Sequence, residues 1–524
     1  MEQLPQFFLL LLLLLLAVSF LLLKTARTKN LRPPPGPWRL PIVGNLHLLD
    51  PTRLHRSLKA LSLKHGPLML LQLGSIPTLV VSSQNIAEEI FRHHDLAFSG
   101  RPLMSAAKKM FHNSSVTFSP YGDFWRQARK ISMLELLGPR RVRAFEAVRM
   151  EEVAKLVAAV RALSDGGAAA ANLTELTLSL ANNIVCRVTI GEEYGAGGYG
   201  GEGGAWLHDV LSEAQRLLGG FWMEDYFPAM GWVDRLILRL KARLDKNFKE
   251  VDRFCDEAIE RHRSVKNKMD GGDYLQALLR LHEDKVAEGS GRGDFLTSMD
   301  HVKAIISEVF IAGTDTSSST ITWTMTELIR NPRVMIKLQQ ELQQHAAHSN
   351  PTVDDNNSGE VINNIIHERD LEKLDYLKQV IKESFRLHPP APLLVPRETT
   401  DPCEIRGYKI PAKTRVLINA FAIATDPGVW ENPLEFRPER FERDDGADFT
   451  GKSFEYLPFG AGRRRCPGIG FATALVQLAV ANLVHCFDWS MADGLKAEDM
   501  NMDEGIGITV HKKEPLRLVA KYKW

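Results

Sequence analysis

Phe459-Gly460-Ala461-Gly462-Arg463-Arg464-Arg465-Cys466-Pro467-Gly468 is the stretch from which the rest of this chain can be read. It sets one cysteine in a turn made of three glycines and a proline, directly after three consecutive arginines. Without a Cβ, glycine lets the backbone approach a flat ligand closely and lets amide N–H groups aim at the sulfur. Amides and cations near a thiol lower its pKa, and the thiolate is the form that binds metal. Guanidinium groups pair bidentately with carboxylates, so the arginines suit a ligand bearing acid groups. A redox-sensing thiol or an inert surface cysteine is the competing reading of these residues.

The chain around this loop has 524 residues, 44% of them hydrophobic, ample for a large buried core. Average domain size would divide that length into about three, yet no linker composition follows the N-terminal segment. A net charge of +1 argues against a general nucleic-acid binder, and no zinc-finger, phosphate-loop or aromatic–basic RNA pattern is present. The five cysteines (Cys186, Cys255, Cys403, Cys466 and Cys486) are odd in number, widely spaced and never C-x-x-C. That usage fits a reducing compartment without structural disulfides.

Phe7 to Leu23 is an uncharged run rich in leucine, at the short end of what spans a bilayer and suited to the thin endoplasmic reticulum membrane. Lys24, Arg27, Lys29 and Arg32 follow at once, so the positive-inside bias places the remainder in the cytosol. A cleaved secretory signal is the alternative, but no basic n-region precedes the run and no A-x-A pattern follows it. On the cytosolic side, the sequons at Asn113, Asn172 and Asn356 are accidental. Pro33-Pro34-Pro35-Gly36-Pro37 then reads as a stiff extended strut.

Leu68 to Leu73 and Thr78 to Ser82 read as two short strands, and long helical patterns dominate from there to about residue 388. Trp125 and Arg129 lie four apart on one helix face, which by itself fits a cation–π pair. Residues 191–204 are glycine-rich, and Gly195, Gly197 and Gly200 satisfy G-x-G-x-x-G by chance. No helix opens on the third glycine, so this is a surface loop without a dinucleotide. Polar loops are also expected over 283–294 and 345–365.

Val302 to Arg330 contains no proline, and Asn331-Pro332 stops it. Apolar residues at Ile305, Ile306, Val309 and Phe310, then Ile321, Met325, Leu328 and Ile329, fit a long buried helix. Its centre is Ala312-Gly313-Thr314-Asp315-Thr316-Ser317-Ser318-Ser319, all but the first weak helix formers. Such a centre makes sense if the helix bulges there to bring a hydroxyl and a carboxylate to a ligand; a solvated polar kink is the plainer reading. Glu383 and Arg386, three apart before Pro389-Pro390, could form a simple surface ion pair. Phe436-Arg437-Pro438-Glu439-Arg440-Phe441 and Pro396-Arg397-Glu398 complete the set.

In this order, from residue 33 to about 470, the motifs resemble the cytochrome P-450 superfamily, and in wording its plant microsomal A-type group. The superfamily's F-x-x-G-x-R-x-C-x-G falls on Phe459, Gly462, Arg464, Cys466 and Gly468. The resemblance implies a mainly α fold with small β-sheets behind a single N-terminal transmembrane helix. It makes residues 1–6 lumenal, 7–23 the signal anchor, 24–45 a basic stop-transfer and proline hinge, and 46–524 the haem-binding catalytic domain.

For the site it implies Cys466 as the axial ligand of haem b iron, where a thiolate favours O–O cleavage. Phe459, Gly468, Ala312 and Gly313 are implied to lie against the haem, and Trp125, Arg129, Arg397 and Arg464 to meet its propionates. The motif (A/G)-G-x-(D/E)-T falls on Ala312, Gly313, Asp315 and Thr316, making Thr316 the hydroxyl that faces the iron and Asp315 a proton relay through water. Glu383, Arg386 and Arg440 are implied to form a charge network behind the haem. Phe118, Val309, Phe310, Leu394, Val395 and Ile506 would line an apolar substrate pocket.

The activity implied is a monooxygenase using O2 on a lipophilic terpenoid, alkaloid or phenolic. A related fold performing a rearrangement or dehydration, or a non-catalytic haem carrier, is the alternative; a carrier has no need of Thr316 and Asp315. Without a flavin or nicotinamide site, electrons must come from a separate NADPH–cytochrome reductase. Arg126, Lys130, Arg140, Arg141, Arg143 and Arg463 are expected to form its basic docking face.

Overall fold

A 32-residue helix, Met299–Arg330, forms the axis about which the other elements pack. The computed structural model describes residues 33–165, 170–191, 202–264, 272–289, 295–348, 365–442, 449 and 451–524. The expected membrane segment, 192–201 of the glycine-rich run, and 290–294 and 349–364 of the two polar loops lie outside those residues; 202–204, 283–287 and 345–348, expected as loop, are helical. In chain order, the helices that matter for the site are α1 (Asp123–Ser132), α2 (Leu173–Ile190), α3 (Glu202–Gly219), α4 (Leu240–Ser264), α5 (Met299–Arg330), α6 (Asp375–Leu387) and α7 (Ile469–Cys486). Helix α5 packs along α2 and α7 and also touches α3, α4 and α6. The architecture is mainly helical with small sheets at the side.

Helix α5 starts where Ser298 caps it, the hydroxyl accepting from Asp300 N at 3.2 Å. It ends where Asn331 donates to Glu327 O at 2.8 Å, one residue before Pro332. Between these points it stays α-helical, and the expected bulge at Ala312–Ser319 is absent. The hydroxyls explain why. Thr316, Thr320 and Thr324 each donate to the carbonyl four residues earlier, at 2.7, 2.8 and 2.7 Å. Thr326 does the same to Thr322 O, while Ser318 and Thr322 share Thr177 of α2 at 3.1 and 3.2 Å. These hydroxyls, which would otherwise compete with the helix, are bonded to its own backbone or to its neighbour, whereas Thr314 Oγ1 is buried without a hydrogen-bond partner.

One sheet has the order β1–β2–β4–β3, with β1 Leu68–Leu73, β2 Ile76–Val81, β3 Arg397–Glu398 and β4 Arg415–Ile418. Strand β2 begins two residues earlier than the sequence suggested, at Ile76. Pro77 is tolerated because pairing to β4 begins only at Thr78, so its missing N–H costs no ladder bond on that side.

Directly after the cysteine loop, α7 passes through the core. It is apolar and long enough to cross a membrane, but the fold buries it: Leu475, Val476, Leu478, Ala479 and Val480 are fully enclosed. Behind it, the Glu383–Arg386 pair is not a surface bridge. Arg386 Nε and Nη2 donate to the two Glu383 oxygens at 2.7 and 2.8 Å, with both side chains fully buried. Arg440 Nε and the Arg437 amide each add a bond of 2.9 Å to Glu383. Arg386 also reaches the carbonyls of Ala424, Pro433 and Glu435, tying α6 to the 424–440 segment.

Arg386→Ala strands a buried carboxylate at a cost of about 3–5 kcal/mol, which should leave little soluble protein with a cooperative thermal transition. A wild-type melting profile would mean that the surrounding amides and Arg440 suffice.

Candidate functional site

The cysteine loop and α5 enclose a cavity of about 310 Å³, which Cys466, Ala312, Gly313 and Thr316 all line. The loop's shape depends on glycine: Gly460 and Gly462 both have φ of +68°, and a Cβ on Gly462 would come within 2.2 Å of Asp95 Oδ1. Asp95 fills that gap, accepting from Arg463 N and Arg463 Nε at 3.1 Å each. The Cys466 amide closes the turn on Phe459 O at 3.0 Å. Phe459 and Gly468 lie on the same cavity. Burial pushes the Cys466 thiol up, against the expectation of a lowered value, because desolvation outweighs the Gly468 amide and the charges of Arg129 and Arg465. Those three groups are the ones that would stabilise a thiolate once a cation neutralised the desolvation.

Four guanidiniums, of Arg101, Arg129, Arg397 and Arg464, converge on this cavity. Arg464 reaches Ser99 O and Ser119 O at 3.0 and 2.7 Å. Arg397 reaches Phe98 O and Ala461 O at 3.2 and 3.0 Å. Arg101, which the sequence reading missed, holds Thr117 O, Val395 O and Pro396 O at 2.8, 2.7 and 2.8 Å. Burial drives Arg397 down to about 10 and, with repulsion from Arg397 and Arg129, Arg464 to about 9. Arg101 is also lowered, by burial and then by Arg397 and Arg464. Desolvated cations that repel one another call for an anionic ligand, and a haem with two propionates beside a thiolate fits this donor set.

Trp125 does not line the cavity. Its indole N–H donates to Val116 O at 2.8 Å, and the Arg464 guanidinium sits 4.3 Å above its ring. The ring supports Arg464, which does line the cavity, and the buried indole N–H is held by a loop carbonyl. Arg129 is on the cavity.

On α5, the methyl-sized gap at Gly313 is tight, since a Cβ there would meet Val185 Cγ2 at 3.0 Å. Asp315, one residue before Thr316, is turned off the cavity, and burial pushes its carboxyl up to about 6 against the pull of Arg216. Phe118, Val309, Leu394 and Val395 line the cavity. Phe310 does not: neighbouring residues on a helix point about 100° apart, and Phe310 instead meets Phe254 of α4 edge-on at 4.9 Å. Ile506 is 53% exposed; Ile508 and Thr509 take the wall position assigned to it.

Gln215 and Glu308 also line the cavity; they fall in the segments 205–232 and 304–312 expected to reach it, but were not singled out. Gln215 of α3 donates to Ile311 O at 2.7 Å. Glu308 accepts from the Val116 and Thr117 amides at 2.7 and 2.6 Å. A lone carboxylate among Ile305, Ile306, Val309 and Phe310 was the signal available for it.

Of the six basic residues expected on one face, Lys130, Arg140 and Arg143 are exposed. Arg126 is exposed but paired with Asp123, and Arg463 with Asp95. Arg141 is committed to the carbonyls of Glu135 and Gly272 at 2.9 and 2.6 Å and leaves the set.

A family model described as Cytochrome P-450 matches residues 33–518. The chain is 49% identical over 517 residues to cytochrome P-450 71A9 of Glycine max, covering 98% of this chain and 97% of the relative. It is 47% identical to strychnine-11-hydroxylase of Strychnos nux-vomica, with 96% and 94% covered. It is 39% identical to costunolide synthase of Cichorium intybus, with 96% and 95% covered.

Asp315 offers a test of the site's electrostatics. Because its folded value of about 6 lies above the ordinary 3.8, the folded state holds the extra proton between them, and stability falls as pH rises through that window. Asp315→Asn removes the penalty. It should raise the melting temperature by about 2 °C at pH 7.5, with the difference shrinking toward pH 4. An equal shift at both pH values would show that burial of the charge is not the cause.

Proposed function

The chain belongs to the cytochrome P-450 family, and on that premise we propose that this member is a single-pass protein of the endoplasmic reticulum membrane that oxidises a lipophilic plant metabolite. Residues 7–23 supply the anchor, 24–45 the stop-transfer and hinge, and 46–524 the catalytic domain on the cytosolic face. The observation that carries the reading is the presence of Cys466 and Thr316 on one largely apolar cavity flanked by four guanidiniums, those of Arg101, Arg397 and Arg464 buried.

Haem b, when bound, supplies activation of O2 and transfer of one oxygen atom to the substrate. Cys466 is its ligand, and Arg129, Arg397 and Arg464 hold its carboxylates, relieving their mutual repulsion. Thr316 donates to Ala312 O at 2.7 Å, a bond it can exchange for one into the cavity with little net change in energy. Asp315, with its carboxyl near 6, can take up and release protons at neutral pH and passes them toward Thr316 through water. Phe118, Val309, Leu394, Val395 and Ile508 exclude bulk water and select apolar ligands.

Relatives named for hydroxylating strychnine and for making costunolide support a specialised metabolite of alkaloid, terpenoid or phenolic type. Electrons from NADPH arrive through a separate membrane-bound reductase, for which Lys130, Arg140 and Arg143 offer exposed positive charge.

Cys466→His should abolish the carbon-monoxide difference band of thiolate-ligated haem, and a surviving band would refute the ligand. Thr316→Ala should leave haem content and that band intact, since alanine is the better helix former. Product formed per NADPH should drop about tenfold, with hydrogen peroxide released instead, a loss of ~1.4 kcal/mol in directing protons. Unchanged coupling would remove Thr316 from the reaction.

A further inference from the structure

Among the described residues that line the cavity, Glu308 is the one carboxylate. It is 7% exposed and lies two turns before Thr316 on α5. It does not reach the arginines directly. Its oxygens accept the amides of Val116 and Thr117, while the carbonyl of Val116 accepts Trp125 Nε1 at 2.8 Å and Arg464 Nη1 at 3.4 Å. The peptide joining residues 116 and 117 therefore sits with its N–H on an anion and its C=O on a cation. The next carbonyl, of Thr117, accepts Arg101 Nε at 2.8 Å, and the next amide, of Phe118, donates to Ser115 Oγ at 2.9 Å. The Phe118 ring, stacked on Phe111 at 5.6 Å, forms cavity wall at the end of this held segment.

We propose that Glu308 is a specificity-determining positioning residue: by clamping the 116–117 peptide between itself and Arg464, it fixes Phe118 and so sets which substrates the cavity admits. Size discrimination on the substrate side then depends on a residue whose bonds run to loop amides. The inference rests on the reading of the cavity as a haem and substrate site. It deepens that reading by naming what holds the Phe118 wall in place beside Arg101 and Arg464.

Glu308→Gln tests it, because the amide's NH2 must face one of the two N–H groups and loses that bond. Amide hydrogen exchange on the full-length holoprotein should quicken about tenfold at 116–118, with other segments unchanged. Binding of two haem-ligating probes, followed by the haem absorbance, gives the second readout. Free imidazole should bind the variant within about twofold of wild type, while a bulky triaryl imidazole should shift in affinity by about tenfold, ~1.4 kcal/mol. Glu308→Asp, which keeps both acceptors, should restore most of the exchange protection. Phe118→Ala should reproduce the probe shift without quickening exchange at 116 and 117.

Unchanged exchange and an unchanged ratio of probe affinities in Glu308→Gln would overturn the proposal. So would failure of both Glu308 variants to fold, which would make the residue a general structural one. Absence of a thiolate-haem spectrum in the wild-type protein would instead defeat the haem reading, and the exchange comparison would still decide the clamp.

Discussion

Guanidinium groups taken out of water have to be solvated by something, and in this molecule they are solvated by the main chain. Arg101, Arg397 and Arg464 together bond carbonyls at 98–99, 116–119, 395–396 and 461. Those stretches are far apart in sequence and have little regular structure of their own. Each arginine therefore does two things at once: it satisfies carbonyls that would otherwise be buried without partners, and it points the remaining positive field at the cavity. Glu383 solves the same problem in reverse on the far side of α6, where one carboxylate gathers two arginines and an amide. The loops around the site are ordered because charges need them.

Much of this was legible in the sequence because it is periodic or spaced. The long helix announced itself through apolar residues at Ile305, Ile306, Val309 and Phe310, and its stop through Asn331-Pro332. The Cys466 loop could be read from glycines that the backbone requires, as the collision between Asp95 and a side chain at 462 shows. What periodicity could not decide was the direction in which adjacent residues face. Val309 and Phe310 are equally apolar, yet one lines the cavity and the other packs on Phe254. Ile506 and Ile508 differ by two positions in an irregular segment, where no repeat fixes which side chain turns inward.

Contacts between distant segments were illegible for a different reason. Nothing near Arg101 signals that it will meet carbonyls at 117, 395 and 396, because those partners are backbone and carry no side-chain mark. Trp125 and Arg129 were legible as a pair on one face, but the indole's choice of Val116 O depends on where the 115–119 segment passes. The weak helix formers at 312–320 pointed to a bulge when taken residue by residue. Thr316 and Thr320 bond the carbonyls four residues back, Ser318 bonds Thr177 of α2 and Ser319 bonds Val510 O, and with these bonds the polar centre stays regular.

Cys466 lies immediately before α7, whose inner residues are wholly enclosed by the core. The sulfur is in effect cast into the foundation, whereas much of the opposing wall, Phe118, Leu394, Val395, Ile508 and Thr509, lies outside the long helices in connecting segments. Tolerance to change is consequently divided across a few ångströms of empty space: one bank is immovable, the other is free to be redrawn. A chain built this way can change what it grips without moving the place where it reacts.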